Sequence, residues 1–259
     1  MFIRKHNQVM DNKTELKWYE KLLMKVIDSG EIPEHIAIIM DGNRRYARKM
    51  AFESVKQGHE IGAEKLRQLI EWLSLLHGVK ILTVYAFSIL NFNRSSEEVK
   101  SLMDLAERTF SDMADKPDFF VRNNCKVNFL GRIDMLEERV LHQIHRVESV
   151  SQKNPEFVLN ICVCYTSHDE IERARDKCYQ ENITPTYQAV FNHLELPKKP
   201  DLLIRTSGVN RMSNFLLMQC SETPICVSEF LWPEITAFEI AKILLRYQLR
   251  NYLPDLNTF

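Results

Sequence analysis

Six short apolar runs, all but one followed by an amphipathic stretch before the next, divide this chain, and that alternation leaves little besides an α/β fold. The runs are 36–40, 81–87, 126–130, 157–163, 201–204 and 225–227. Runs that are apolar at successive positions fit strands buried on both faces, as in parallel sheets. Between them, apolar residues recur at helical spacing over 59–77, 95–113, 134–150, 168–180, 184–194 and 235–250. The expected architecture is one α/β domain over 35–252, with a mostly parallel central sheet flanked by helices. Residues 1–34 form a lead-in that holds an amphipathic helix over 14–28. Its apolar positions are Leu16, Tyr19, Leu22, Leu23, Val26 and Ile27; Thr14 is the expected N-cap, and Gly30 and Pro33 close it.

Three of the runs pass directly into arginine-bearing polar segments. Ile36 to Met40 breaks at Asp41-Gly42-Asn43, and Arg44, Arg45, Arg48 and Lys49 follow. The second strand leads into Ser88, Asn91 and Arg94, and the fifth into Arg205, Arg211 and Ser213. In an open parallel sheet the carboxyl ends of the strands meet at one crevice. Arginine's planar fork matches phosphate oxygens, and Arg44, Arg45, Arg94, Arg205 and Arg211 together exceed what one monophosphate needs. Two diphosphates and one Mg²⁺ ion would balance that charge.

Composition limits the alternatives. The formal net charge is −1, so no global field draws the chain to nucleic acid. The six cysteines form no C-x-x-C pair, which leaves no zinc or disulfide framework. Cys162 and Cys164, two apart in a strand, are expected to point the same way as buried small hydrophobes. No apolar run reaches the ~20 residues of a membrane span, and the first residues lack the apolar core of a signal peptide. No Gly-x-Gly-x-x-Gly or Walker loop supports nucleotide binding. His142 and His145, near Glu138 and Glu148, read as a solvated helix face.

Six ordered motifs resemble the cis-prenyltransferases, the undecaprenyl and dehydrodolichyl diphosphate synthases. They are residues 35–49, Gly58-His59, Tyr-Ala-Phe-Ser-x-x-Asn-Phe-x-Arg (85–94), Asp-Leu-Leu-Ile-Arg-Thr-Ser-Gly (201–208), Arg-x-Ser-Asn-Phe-Leu (211–216) and Leu-Trp-Pro-Glu (231–234). Adjacent Arg44 and Arg45, and Arg-Thr-Ser-Gly in place of a Gly-Gly pair, are similar to the eukaryotic dehydrodolichyl branch. The resemblance implies repeated condensation of isopentenyl diphosphate onto an allylic diphosphate such as farnesyl diphosphate. It implies Mg²⁺ positioned by Asp41, and an allylic diphosphate pocket of Gly42, Asn43, Arg44, Arg45 and His59, with Tyr46 in the same motif. Arg205, Arg211 and Ser213 match the isopentenyl diphosphate clamp. Asn91 matches the residue assigned to proton removal, with Ser88, Phe92 and Arg94 beside it. An amide is a weak base, so diphosphate itself is the other candidate acceptor.

The chain departs from the family pattern at four places. Leu90 stands where Glu is usual, and Lys56 is the nearest substitute for a missing loop arginine. Pro224 falls where bacterial members carry a second metal-binding carboxylate. No glycine follows Gly208, so the C-terminal Arg-x-Gly of single-subunit enzymes is lacking. The resemblance therefore implies a heteromer with a Nogo-B-receptor-like subunit that supplies it. A non-catalytic, prenyl-lipid-binding subunit is the alternative, against which the retained Asp41, Asn91, Arg205 and Arg211 weigh. A long polyprenyl product cannot be released to water, since each carbon costs ~0.8 kcal/mol. Helices 59–77 and 95–113 are the expected tunnel walls, and the expected location is the cytoplasmic face of the endoplasmic reticulum, bound peripherally.

Overall fold

The computed structural model describes residues 16–153 and 156–250, and Thr14 lies outside them. Its strands are β1 (His35–Ile39), β2 (Ile81–Ser88), β3 (Cys125–Leu130), β4 (Phe157–Tyr165), β5 (Leu202–Arg205) and β6 (Ile225–Val227). They form one sheet in the order β3-β4-β2-β1-β5-β6, and every neighbouring pair is parallel. The sheet is thus wholly parallel. The helices are α1 (Trp18–Ile27), α2 (Asn43–Lys49), α3 (Val55–Leu73), α4 (Ser96–Asp115), α5 (Asp118–Arg122), α6 (Glu138–Ser151), α7 (Ser167–Gln180), α8 (Tyr187–Asn192) and α9 (Ala237–Leu249).

Helix ends differ from the periodicity for local reasons. α3 starts four residues early because Ser54 caps it, its hydroxyl accepting from Lys56 N at 3.2 Å. α6 starts late because Leu136 and Glu137 are extended, which puts Leu136 into the core. At α4, Ser95 caps by accepting from Glu98 N at 3.3 Å. The Glu98 carboxylate is spent on Arg94 and Arg44 instead, so only half of a capping box forms.

Both faces of the sheet are covered, which explains why β1 is buried throughout. Ile36, Ile38, Leu82, Val84, Leu202 and Ile204 face the larger layer with Leu69, Leu73 and Ile144. Ala37, Ile39 and Leu203 face Phe215 and Leu216 on the other side. Each buried aliphatic side chain contributes about 1.5–3 kcal/mol. Cys162 and Cys164 do not share a face. Cys162 joins the smaller layer and Cys164 the larger, because Cys164 takes a left-handed φ of 47°. That residue interrupts the alternation of β4 opposite a register shift in β2. On α1, Met24 and Ile27 are buried while Trp18, Leu22 and Val26 stay exposed, so the apolar positions divide into two stripes.

His35 opens β1 fully buried, its Nε2 2.8 Å from Thr83 Oγ1 and its Nδ1 3.3 Å from the Lys199 carbonyl. Burial pushes its pKa down to about 4, against the Lys199 carbonyl and Asp201, which raise it. The unfolded chain therefore takes up this proton first as pH falls, and stability is lost from about pH 6.5 to about pH 4. The expected loss is about 3 kcal/mol. Chemical denaturation of the parent and of His35→Gln across this window checks it; an equal slope in both would refute the assignment.

Candidate active site

β1 leads to β2 on one side of the sheet and β5 to β6 on the other, so the strand order reverses between β1 and β5. Ligand crevices in open α/β sheets lie at that switch, outside the carboxyl ends of the strands. Asp41 follows β1 and Arg205 ends β5. Arg205 Nη2 donates to Asp41 Oδ2 at 2.7 Å, and Arg45 Nη2 lies 3.3 Å from Oδ1. The backbone of Asp41 is pinned separately. Its N–H donates to Thr206 Oγ1 at 2.9 Å, and its carbonyl accepts from Thr206 Oγ1 at 2.6 Å and Trp232 N at 2.9 Å. Burial works to raise the Asp41 pKa, but the Arg205 hydrogen bond, the Arg205 charge and the Arg45 charge outweigh it. The carboxyl is held below its usual range.

Gly42 makes the turn possible. Its φ of 116° is a region that L side chains rarely adopt, and a Cβ there would also press on Leu231 at 3.0 Å. The chain then enters α2, whose first-turn N–H groups have no acceptor within the helix. α3 packs close beneath, because a Cβ at Gly58 would overlap the Asn43 carbonyl.

These elements enclose a crevice of about 890 Å³ lined by Asp41, Gly42, Asn43, Arg44, Arg45, His59, Ser88, Asn91, Arg94, Arg205, Arg211 and Ser213. Arg48 and the exposed Leu90 line it too. The three arginine-bearing segments thus converge, as β2, β1 and β5 are adjacent. Tyr46 and Phe92 sit outside it: Tyr46 packs edge-on against Phe52, and Phe92 against Phe87. Asn91 Oδ1 accepts from Ser88 N at 3.0 Å, which anchors the short turn after β2. Pro224 precedes β6, at the end of that strand opposite the carboxyl ends that form the crevice, its carbonyl accepting from Leu203 N. This position lies away from the chain's own crevice.

Several members escaped the sequence reading. Glu98 accepts from Arg94 Nη1 at 2.9 Å and lies 3.6 Å from Arg44 Nε, holding both guanidinia at the rim. The i,i+4 spacing from Arg94 was the available signal. Ser207 fixes Arg45 through its carbonyl at 3.0 Å and its hydroxyl. With other described residues, Arg48 and Arg211 form no ion pair, which leaves two uncompensated cations at the crevice.

A second space adjoins the first. A largely apolar cavity of about 180 Å³ runs between the sheet, α3 and α4, lined by Leu66, Ile70, Leu102, Ala106, Phe110 and Phe120 among others. Met40, Asn43, His59, Ala86, Phe87 and Leu102 line both spaces. At this junction Asn43 Oδ1 and His59 Nε2 are buried without a hydrogen-bond partner among the described residues. Burial, with Arg94 second, pushes the His59 pKa down to about 4, so its imidazole is neutral at pH 7. Unpartnered buried polar atoms are costly unless a ligand meets them.

The family model for undecaprenyl diphosphate synthases matches residues 39–252. The chain is 36% identical over 253 residues to a geranylgeranyl-diphosphate-specific tritrans,polycis-undecaprenyl-diphosphate synthase of Methanocaldococcus jannaschii, covering 93% of this chain and 89% of that one. It is 34% identical to the dehydrodolichyl diphosphate synthase complex subunit of Homo sapiens, covering 92% of this chain and 73% of that one. Lavandulyl diphosphate synthase from Lavandula x intermedia, solved with dimethylallyl diphosphate, superposes with a TM-score of 0.75 at 30% identity, covering 85% and 96%. The motifs at the crevice, the sheet that gathers them and these relatives agree: the chain belongs to the cis-prenyltransferases and is a transferase of that family.

Proposed function

We propose that this chain elongates a cis-polyprenyl diphosphate, starting from farnesyl diphosphate, to give a dehydrodolichyl-type product for dolichol-linked glycosylation. The observation that carries this reading is the junction of an arginine-rich crevice with an apolar cavity. A diphosphate and a hydrocarbon chain need those two environments side by side. The allylic diphosphate would lie at Asp41, Gly42–Arg45 and His59, with its chain entering between α3 and α4. Isopentenyl diphosphate would lie at Arg205, Arg211 and Ser213. The allylic C–O bond breaks, the new C–C bond forms, and a proton leaves to set the cis double bond. Fixed guanidinia and N–H groups at the leaving diphosphate stabilise its developing charge. Asn91 lines the same crevice; its amide would orient the proton's departure, or the diphosphate itself would accept the proton.

The donor set fits Mg²⁺ in one form. Among the described residues no cluster of three His, Cys, Asp or Glu could hold a metal, and Asp41 is the carboxylate lining the crevice. Mg²⁺ is commonly held by one or two carboxylates together with substrate phosphates. Asp41 would hold it, and when bound it would neutralise charge on the diphosphate.

The human, mouse and fission-yeast relatives are named as complex subunits, which supports a heteromer with a Nogo-B-receptor-like partner. No helix among the described residues is long and apolar enough to cross a membrane. The exposed stripe Trp18, Leu22 and Val26, next to Lys17, Lys21 and Lys25, supports peripheral contact with the cytoplasmic face of the endoplasmic reticulum. One assay tests the whole reading. The full-length chain, with and without such a partner, is given labelled isopentenyl diphosphate, farnesyl diphosphate, Mg²⁺ and anionic vesicles. Label should appear in long polyprenyl diphosphate floating with the vesicles, rise with the partner, and vanish with EDTA. Farnesyl binding without label transfer in any combination would favour the non-catalytic reading instead.

A further inference from the structure

The segment that carries Ser213 is bent in a way its own residues do not favour. Ser213, Asn214 and Leu216 have φ of 49°, 61° and 45°, the left-handed region in which L side chains persist only when their surroundings hold them. Ser213 Oγ accepts from Arg205 Nη1 at 2.7 Å, and the Arg211 carbonyl accepts from the same nitrogen. The bend therefore decides where the Arg205 fork is gripped.

What holds the bend is the start of α7. Ser167 N donates to the Asn214 carbonyl at 2.9 Å, and His168 N donates to Asn214 Oδ1 at 3.1 Å. Asn214 thereby takes two of the N–H groups that a helix start leaves without acceptors, while Thr166 Oγ1 takes Asp169 N. A third bond closes the join from the other side, Leu217 N donating to Ser167 Oγ at 2.8 Å. Phe215 and Leu216 are fully buried between these contacts, so the segment is docked at both ends. Asparagine is the residue type suited to this place: it tolerates the left-handed backbone and carries a side-chain oxygen.

We propose that Asn214 is a positioning residue for the second diphosphate, acting through Ser213 and Arg205 by binding the segment to the N-terminus of α7. This rests on reading Arg205, Arg211 and Ser213 as the isopentenyl diphosphate site. Asn214→Ala removes the oxygen and disfavours the bend. Asn214→Asp keeps both and adds a charge that suits a helix start.

The test is equilibrium binding of isopentenyl diphosphate and of farnesyl diphosphate to the full-length chain by titration calorimetry. Asn214→Ala should raise the Kd for isopentenyl diphosphate at least ~10-fold and leave that for farnesyl diphosphate within about twofold. Asn214→Asp should restore the parent value within about threefold. Should the alanine variant melt too low to titrate, Asn214→Gly, which adopts the bend freely but lacks the oxygen, carries the same expectation. Equal weakening of both ligands, or failure of Asp to rescue, would mean a general structural role and overturn the proposal. Arg211→Ala, at an exposed side chain, separates the two levels. If it weakens isopentenyl diphosphate while Asn214→Ala does not, the proposal alone falls. If neither does, the site assignment falls with it.

Discussion

Asp41→Asn is expected to fold like the parent and to lose at least ~10³-fold in isopentenyl diphosphate incorporation, the loss of about 4 kcal/mol of charge stabilisation at the reacting diphosphate. The fold should stand because the backbone of residue 41 is held by Thr206 and Trp232, not by its own carboxylate. An amide oxygen also still accepts from Arg205. Alanine is the poorer test. It would leave Arg205 Nη2, on a side chain 3% exposed, with no acceptor at residue 41 as well as no charge partner, which adds about 1–3 kcal/mol to the cost. Thermal melting beside labelled incorporation separates loss of chemistry from loss of fold. Retention of activity within about tenfold in Asp41→Asn would remove Asp41 from the centre of the reaction.

Gly58→Ala adds one methyl group and is expected to act out of proportion to its size. The new Cβ would overlap the Asn43 carbonyl and touch Ala47 Cβ at 3.0 Å. The first of these is backbone, which cannot rotate away. α2 must then lift from α3, costing about 3 kcal/mol and roughly 6–12 °C in Tm at this chain length. Asn43, Arg44 and Arg45 would move with it, and displacements near 1 Å cost ~10²-fold in rate. The measurement is Tm together with KM for farnesyl diphosphate and for isopentenyl diphosphate. The allylic constant should rise the more, and a variant matching the parent in Tm and both constants would show that the two helices are looser than they look.

Much of this was legible because the fold repeats one local rule. β1, β2 and β5 announced themselves as apolar runs ending in arginine, and parallel pairing brings such ends together without further information. Long-range pairings were not legible. Nothing near residue 41 says that Thr206 and Trp232 will hold its backbone, and nothing in β4 foretells the inversion at Cys164. Glu98 shows a different limit. Its spacing from Ser95 reads as a helix cap, and its spacing from Arg94 as an ion pair; both are true of the sequence, and only the assembled rim shows which contact its carboxylate keeps. Asn214 sat within a recognised motif, but its role depends on α7, which begins 47 residues before it in the chain.

The Asp41–Arg205 pair has a consequence for how ligands arrive. In the resting crevice Arg205 Nη2 and Asp41 Oδ2 already meet, so an anion that recruits that nitrogen must draw it from the carboxylate. A cation that recruits the carboxylate must likewise draw it from the guanidinium. Whichever arrives first lowers the cost for the second, and by thermodynamic reciprocity the help is equal in both directions. At that pair, a cation and an anion together meet less resistance than either alone.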